Sequence, residues 1–303
     1  MTAPIPKLLT LQAITFLHPG TGQTTGVVDL PIQREVHTGY PMFASSGLKG
    51  SLRDKAERLF GKNHDKVLTT FGAATDTDNP SAGALALTDA RILAFPVRSL
   101  QQVFVWITCP MVLKRLARDA ALIGLSGLPP TIDDIAPEHA WVADTTEYPD
   151  DTLILEELAF HVEASKAVQV NAVANFISPL LQQNAGFDAK RLVIISNTDF
   201  QYLVQHATQV SARIKLNEDK TTTGGGGNLW YEETLPPETL LYAFALCHSP
   251  RTNNADEAKD APYIAGVLDE LQQDHHLQIG GNETVGQGWC CIHLSGMDKG
   301  GDA

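Results

Sequence analysis

The order of strand-like and helix-like segments is the feature that most limits how this chain can fold. The run from Leu8 to Leu17 alternates and is rich in β-forming residues, and turn formers end it near His18. A helix is predicted next, beginning at a cap on Ser45 or Ser46 and ending near Lys62. Its apolar positions recur at helical spacing and predict one buried stripe, formed by Leu48, Leu52, Ala56 and Leu59.

The remaining segments continue this alternation of strands and helices. Strands are predicted at 83–95, 103–108, 191–196, 210–216, 228–233, 240–247 and 289–294, and helices at 111–123, 199–206 and 256–272. A β-α-β-β-type order of this kind predicts an α+β chain with a ferredoxin-like fold. We expect a single domain over residues 1–303, with a long hairpin at 211–233 whose tip contains four consecutive glycines.

Charge is distributed unevenly along the chain. The formal net charge of −13 argues against a protein that binds nucleic acid alone, since phosphate binding normally needs a basic surface. The segment 34–66, however, holds seven basic residues against four acidic ones, whereas 131–157 holds nine acidic residues and no Lys or Arg. We therefore expect one face to meet an anion, and we interpret 131–157 as an acidic insertion that contacts neighbouring subunits or solvent.

Composition also bears on the compartment in which the chain works. No apolar run approaches the roughly 20 residues that a membrane-spanning helix needs, and the first residues lack the apolar core of a signal peptide. The four cysteines show no C-x-x-C spacing, so neither a zinc site nor a disulfide framework is predicted. We expect a cytoplasmic protein with buried thiols and no membrane partner.

The segment from His18 to Arg53 has features of a site for a polyanion. Its glycines let the backbone approach a ligand, and Lys49 lies near a helix N-terminus, where unpaired N–H groups attract phosphate. Arg53 follows one helical turn later on the same face. The segment lacks the G-x-x-x-x-G-K-[ST] spacing of a Walker loop. A turn-rich loop followed by an exposed amphipathic helix explains the same pattern equally well.

Three ordered blocks of this sequence resemble a known family. They are VDLPIQRE followed by HTG and SGLKGSLR between 28 and 53, NLWYEE before LP at 228–236, and IGGNETVGQG at 279–288. Together they resemble the signature of the Cmr-type backbone subunit of type III-B CRISPR effector complexes, a member of the RAMP superfamily. The blocks extend from the first loop to the last strand, so the resemblance covers nearly the whole chain.

The resemblance implies an RRM-like palm on a ferredoxin core, a β-hairpin thumb at 211–233, and a helical stack of identical subunits along a guide crRNA. Other Cmr-type subunits and a complementary target single-stranded RNA are the further partners that it implies. The residues expected to contact RNA are Arg34, Lys49, Arg53, Arg213, Lys215, Trp230, Gly281 and Gly286. Stacking on Trp230 would tolerate any base, although large aromatics are as often buried. The glycines would present backbone N–H groups to guide phosphates, or form a plain connection.

The resemblance further implies that the chain cuts target RNA through Asp29, beside His18, with Glu232 as a second carboxylate. The implied chemistry is attack by the 2′-hydroxyl of the RNA, assisted by a divalent metal ion, Mg²⁺ or Mn²⁺, for which Asp29 is the expected ligand. His18 would act as acid or base, because histidine titrates near neutral pH. On residues alone, Asp29 would be a turn aspartate before Pro31 and His18 a satisfied loop histidine.

Two other functions fit the same sequence. The chain would be a non-catalytic filament subunit if partner subunits did the cutting. It would be a metal-independent nuclease that processes guide precursors if the isolated chain bound RNA, which the charge of −13 disfavours.

Overall fold

The computed structural model describes residues 3–73, 81–124, 129–148, 150–182, 186–216, 218–219, 229–250 and 259–296. The strands of these parts are β1 (Ile5–Ala13), β2 (Met42–Phe43), β3 (Leu85–Leu87), β4 (Ala90–Ser99), β5 (Val103–Thr108), β6 (His139–Val142), β7 (Thr152–Leu155), β8 (Leu158–Val162), β9 (Leu192–Ile195), β10 (Gln209–Ile214), β11 (Leu229–Thr234), β12 (Leu240–Cys247), β13 (His276–Gln278) and β14 (Trp289–Gly296). The α-helices are α1 (Ser45–Phe60), α2 (Asp65–Phe71), α3 (Pro110–Leu122), α4 (Ala167–Ile177), α5 (Asn197–His206) and α6 (Ala261–Leu271). The chain is therefore of the mixed α+β class, as predicted.

The centre of the main sheet is antiparallel and has the order β14-β1-β12-β4. β1 is buried along most of its length, because β12 and β14 flank it and α6 packs on β1 and β12. The predicted first strand was placed too far along the chain, since β1 begins at Ile5 and ends at Ala13. Residues 14–17 keep the apolar pattern but leave the sheet, and Leu17 instead forms an isolated bridge to Leu235.

The other half of the sheet continues from β4 in the order β5-β9-β6-β8-β7. The acidic segment 131–157 supplies β6 and β7 to this half, where β6 pairs with β9 and β7 with β8. Ala140, Trp141 and Leu153 are buried in the core. The segment 131–157 therefore also contributes to the sheet and the core, which its interpretation as an acidic insertion did not include; its contact with neighbouring subunits or solvent stays a prediction. Its acidic residues lie between the strands, while the apolar residues of β6 and β7 are mostly buried.

Helix α1 confirms the most definite helix of the sequence but corrects its cap and its stripe. Ala44 occupies the N-cap position without a side-chain hydrogen bond, and the Ser45 N–H instead donates to the Asp89 carboxylate at 2.8 Å. Leu48 is among the buried residues of the predicted stripe, whereas Leu59 is 57% exposed. The apolar face therefore ends one turn before the helix does.

Smaller differences separate prediction from structure elsewhere. The strand predicted at 83–95 divides into β3 and β4 around Thr88 and Asp89. β5 and β12 have their predicted bounds, and α3 and α5 lie within two residues of theirs. The first residues of the helix predicted at 256–272 fall outside the described residues, and α6 begins at Ala261. None of the helices in the described ranges has both the length and the apolar character needed to cross a membrane.

The strands β10 and β11 form a two-stranded antiparallel ribbon separate from the main sheet. Residues of its glycine-containing tip, 217 and 220–228, lie outside the described residues. One face carries exposed apolar side chains, and these are Val210, Ile214, Leu229 and Tyr231. The opposite face carries Ser211, Arg213, Trp230 and Glu232, as the register pairs Ser211 with Glu232 and Arg213 with Trp230.

Candidate functional site

The segment between β1 and β2 folds back against the base of the ribbon. Residues 18–34 of this segment are called the Asp29 loop below. They fold back on themselves, and an antiparallel bridge joins Gly20 to Ile32. Leu30 then forms a parallel bridge to Glu232 of β11. The loop is therefore attached to β11 at the position where the sequence blocks 28–53 and 228–236 meet in space.

Asp29 is held at this junction by its own carboxylate. Its Oδ2 accepts a hydrogen bond from the Tyr231 backbone N–H at 2.7 Å, and the next residue, Leu30, donates its N–H to the Tyr231 carbonyl at 3.0 Å. The Asp29 carbonyl closes a turn by accepting the Thr24 N–H at 2.9 Å. The side chain is only partly exposed. The carboxylate is therefore fixed on the edge of β11.

His18 lies beneath the same junction and is 8% exposed. Its Nδ1 is 2.7 Å from the Glu233 carbonyl oxygen, which can only accept, so Nδ1 carries a proton. The neutral ring consequently has its lone pair at Nε2. A Cβ on Gly20 would stand 2.6 Å from Nε2, so a side chain at that position would collide with the ring.

Glu232 is nearly enclosed, at 3% exposed. Its Oε1 accepts a hydrogen bond from the Asn282 side-chain amide at 2.7 Å and lies 3.3 Å from Nη2 of Arg213. Because its Oε1 already binds an amide and a guanidinium, this carboxylate can hold Asn282 and Arg213 in place. Glu232 therefore joins the ribbon to the glycine-rich loop at 279–288, and its predicted part in the chemistry stays a prediction.

The guanidinium of Arg34 is partly buried and bonds within the protein, and the predicted contact of Arg34 with RNA stays a prediction. The guanidinium forms an ion pair of 2.5 Å with Glu233 and donates to the carbonyls of Gly39 at 3.0 Å and Val204 at 2.9 Å. These three partners engage Nη1 and Nη2 of the guanidinium. This arrangement gives Arg34 a structural role at the end of the Asp29 loop.

Lys49 and Arg53 lie on one partly exposed face of α1, as their spacing predicted. The Lys49 ammonium donates to the Leu85 carbonyl at 2.8 Å, and burial, together with the nearby positive charge of Arg53, lowers the pKa of Lys49. Arg53 pairs with Glu57 at 2.8 Å, one turn along the helix. Both contacts are of the kind that an RNA phosphate can replace, so these residues remain the predicted RNA contacts on α1.

The predicted contacts on the ribbon lie on two different parts of it. Trp230 is half-buried beside Arg213, and Lys215 is exposed just after the end of β10. The Trp230 indole N–H and the Arg213 Nε are buried with no hydrogen-bond partner among the described residues. These two buried donors therefore lie unpaired, within the described part of the chain, on the face of the ribbon that also carries Glu232.

The N–H groups of Gly281 and Gly286 bond within the protein, and their predicted contacts with guide phosphates stay a prediction. The Gly281 N–H donates to the His18 carbonyl at 3.2 Å, and the Gly286 N–H donates to the Glu283 carbonyl at 3.0 Å. The loop also contacts α1 through an ion pair of 3.0 Å between Arg58 and Glu283. Its backbone thus supports His18 and α1, and a phosphate would have to compete with these bonds.

The residues available for a divalent metal ion are few. In the described ranges, no group of three or more His, Cys, Asp or Glu side chains is arranged to hold a metal. Mg²⁺ commonly uses only one or two carboxylates and completes its shell with phosphate and water. Asp29 fits that pattern, since only its Oδ2 accepts the Tyr231 N–H. Glu232 does not, because Arg213 already compensates its charge.

The structure therefore brings together Asp29, His18 and Glu232, the three residues predicted for the chemistry. Lys49 and Arg53 lie on a separate element. Two residues with a clear part in the geometry were missed by sequence reasoning, namely Glu233 and Asn282. Both stand inside the sequence blocks that pointed to the site, and Asn282 has the left-handed backbone typical of Asn and Gly, with a φ of 66°.

Comparison with known proteins concerns the family of this chain and its fold. The model of the RAMP superfamily matches residues 10–291. A CRISPR system Cmr endoribonuclease Cmr4 from Pyrococcus furiosus is 36% identical over 97% of both chains. The crystal structure of oligomeric Cmr4 from the same organism has a TM-score of 0.73 at 28% identity, covering 97% of this chain and 99% of that one.

A more distant structure shares the fold. A cryo-EM structure of a type III-B Cmr-beta complex bound to cognate target RNA contains a chain with a TM-score of 0.73 and 18% identity, covering 96% of this chain and 98% of that one. The family match spans most of the sequence, and the relative that is 36% identical matches this chain nearly end to end. The chain therefore belongs to the RAMP superfamily and, within it, to the Cmr4 family of CRISPR Cmr systems.

Proposed function

We propose that this chain is the backbone subunit of a type III-B CRISPR effector complex, where it binds guide crRNA along a helical filament and cleaves complementary single-stranded target RNA at regular intervals. The observation that carries the proposal is the position of Asp29, whose carboxylate is bonded to β11 where the Asp29 loop meets the ribbon. The relative that is 36% identical is an endoribonuclease of a Cmr system, which supports the same activity here.

The palm and the thumb correspond to two parts of the described fold. The order β14-β1-β12-β4, with α1 following β1 and α6 preceding β14, supports a ferredoxin-like palm. The isolated β10–β11 ribbon supports a thumb, because a two-stranded ribbon with an exposed apolar face needs a partner to cover it. We assign that face, which carries Ile214, Leu229 and Tyr231, to contacts with a displaced nucleotide and a neighbouring subunit.

The proposed reaction is transfer of the phosphodiester to the 2′-oxygen of the target. The 2′-oxygen attacks phosphorus, the bond to the 5′-oxygen breaks, and the products are a 2′,3′-cyclic phosphate and a 5′-hydroxyl end. A nucleotide displaced by the thumb supplies the in-line geometry that this attack requires. His18 has its lone pair at Nε2 and would take up or return a proton there.

Asp29 would hold a divalent metal ion, Mg²⁺ or Mn²⁺, together with the oxygens of the RNA. When bound, such an ion stabilises negative charge on the phosphoryl group and the leaving oxygen. The Tyr231 N–H orients the Asp29 carboxylate by binding Oδ2. The absence of a three-carboxylate cluster in the described residues supports a site that only the RNA completes, so the isolated chain is expected to be nearly inert.

The test is single-turnover cleavage of a complementary RNA by the assembled complex, made with wild-type chain or Asp29→Ala. The proposal expects target binding to be retained and cleavage to be lost. Asp133→Ala is the control, since it removes an exposed carboxylate remote from the junction in sequence. Cleavage at the wild-type rate by Asp29→Ala, with normal binding, would instead identify a non-catalytic filament subunit.

A further inference from the structure

We propose that Glu233 is a positioning residue that ties both candidate catalytic groups to the ribbon, so that the placement of the ribbon sets the placement of Asp29 and His18. The inference rests on the proposed function and adds to it a specific residue and a direction of coupling. Glu233 would act through other residues, because its side chain is 9% exposed and cannot reach RNA without leaving its partners.

The carboxylate of Glu233 accepts three hydrogen bonds from two segments of the chain. Its Oε2 accepts the backbone N–H of Ile32 at 3.1 Å. Its Oε1 accepts the Arg34 guanidinium at 2.5 Å and the Thr208 hydroxyl at 2.8 Å. Ile32 and Arg34 belong to the Asp29 loop, whereas Thr208 lies between α5 and β10. One side chain therefore holds the end of the loop and the start of the ribbon together.

The backbone of Glu233 contacts the same site from the other side. Its N–H donates to the Leu30 carbonyl at 3.0 Å, beside Asp29, and its carbonyl accepts the proton of His18 Nδ1 at 2.7 Å. The first bond holds Leu30, the neighbour of Asp29, in place. The second fixes the tautomer of His18. A displacement of Glu233 along β11 would consequently move Asp29 and break the bond that orients His18.

Arg34 extends this connection to helix α5. Its guanidinium donates to the carbonyl of Val204 at 2.9 Å, near the end of α5, while it pairs with Glu233. Breaking a buried ion pair by removing one partner leaves an uncompensated charge, so the two residues hold each other in place. The coupled unit therefore consists of the Asp29 loop, the base of the ribbon and the end of α5.

The experiment measures target binding and single-turnover cleavage at saturating target by complexes assembled with Glu233→Gln or Glu233→Ala. We expect binding within about twofold of wild type, because Glu233 does not face RNA. Cleavage should fall about tenfold for Glu233→Gln and on the order of 100-fold for Glu233→Ala, the scale on which small misplacement of reacting groups slows a reaction. A wild-type cleavage rate in both variants would overturn the inference.

Two further measurements separate positioning from loss of structure. Assembly and target binding by the Glu233→Gln complex should stay at the wild-type level while its cleavage rate falls, whereas a loss of binding equal to the loss of cleavage would show that Glu233 serves only the fold. The control is Asp119→Asn, which removes another buried carboxylate that pairs with an arginine, at 2.9 Å from Arg91, without contacting the Asp29 loop. Its cleavage rate should stay at the wild-type value.

The outcomes also distinguish this inference from the proposed function. A wild-type complex that binds target without cutting it would contradict both the proposed function and the role of Glu233. A wild-type complex that cuts, an Asp29→Ala complex that does not, and a Glu233→Gln complex that cuts at full rate would remove only the role of Glu233. If Glu233→Gln fails to assemble, Arg34→Lys keeps the charge but loses the forked geometry. It should still lower cleavage several-fold with binding unchanged, and a wild-type rate would overturn the inference.

Discussion

Two glycines of the loop at 279–288 offer a matched test of how that loop is built. Gly288 has a φ of +82°, and a Cβ there would stand 2.1 Å from the carbonyl oxygen of Ile279. Gly286 has a φ of +80°, but a Cβ there would meet nothing within 4 Å. Left-handed backbone costs an alanine at either position about 1–2 kcal/mol. The two substitutions therefore differ only in the space around the new methyl group.

Gly288→Ala should be the more destabilising change by about 1.5–4.5 kcal/mol. Forcing the backbone apart costs about 1–3 kcal/mol, and weakening the bond from the Ile279 N–H to the Gly288 carbonyl, 2.9 Å long, adds about 0.5–1.5 kcal/mol. Urea unfolding of the two variants and wild type measures this difference as a shift of the midpoint at constant slope. Equal losses of stability in Gly286→Ala and Gly288→Ala would refute the reasoning.

The same substitution has a functional consequence through Asn282. The loop places the Asn282 amide on Glu232 and the Gly281 N–H on the His18 carbonyl. Complexes that still assemble with Gly288→Ala should therefore cut more slowly than complexes with Gly286→Ala. A reversed order of cleavage rates would show that the loop supports the site in some other way.

Two more predictions concern RNA retention and pH. Lys49→Ala combined with Arg53→Ala should weaken guide binding irrespective of sequence and reduce the salt slope by about 0.7 for each phosphate that the chain no longer neutralises, so an unchanged slope would remove both residues from the interface. Burial opposes ionisation of Glu35, but hydrogen bonds from Thr38 and Arg115 outweigh it and lower the pKa of Glu35 below its ordinary 4.5. Its stabilising contribution is therefore present above pH 4.5 and lost as the pH falls through the lower folded-state value. Glu35→Gln should accordingly be less stable than wild type in urea at about pH 7, with a difference that disappears in acid, and a difference independent of pH would contradict this.

Much of the fold follows from local pattern. The runs that became β5 and β12 are short, apolar and bounded by turn formers, and α1 has clear helical spacing. Strands β6 and β7 within 131–157 were not predicted, because each is only four residues long and the segment around them is rich in acidic residues. Their place in the sheet depends on pairing with β9 and β8, and pairing partners distant in sequence are not visible in the periodicity of one segment.

The candidate site, like the fold, could be predicted from the sequence only in part. Sequence resemblance identified Asp29, His18 and Glu232, which the structure places together at the base of the ribbon. It gave no role to Glu233, although neighbouring residues on a strand point to opposite faces. The register of β11 decides that one carboxylate meets Asn282 and the other meets Arg34. The inward direction of Arg34 depends on that same register, so a count of basic residues could not predict it.

The central claim is that cleavage occurs where the ribbon and Asp29 meet, once for each subunit of the filament. The most direct measurement maps the ends of target fragments produced by complexes that contain wild-type chain or Asp29→Ala. We expect cuts at a constant interval for the wild type, and intact target that is still bound for Asp29→Ala. An unchanged ladder of fragments from the Asp29→Ala complex would contradict the claim.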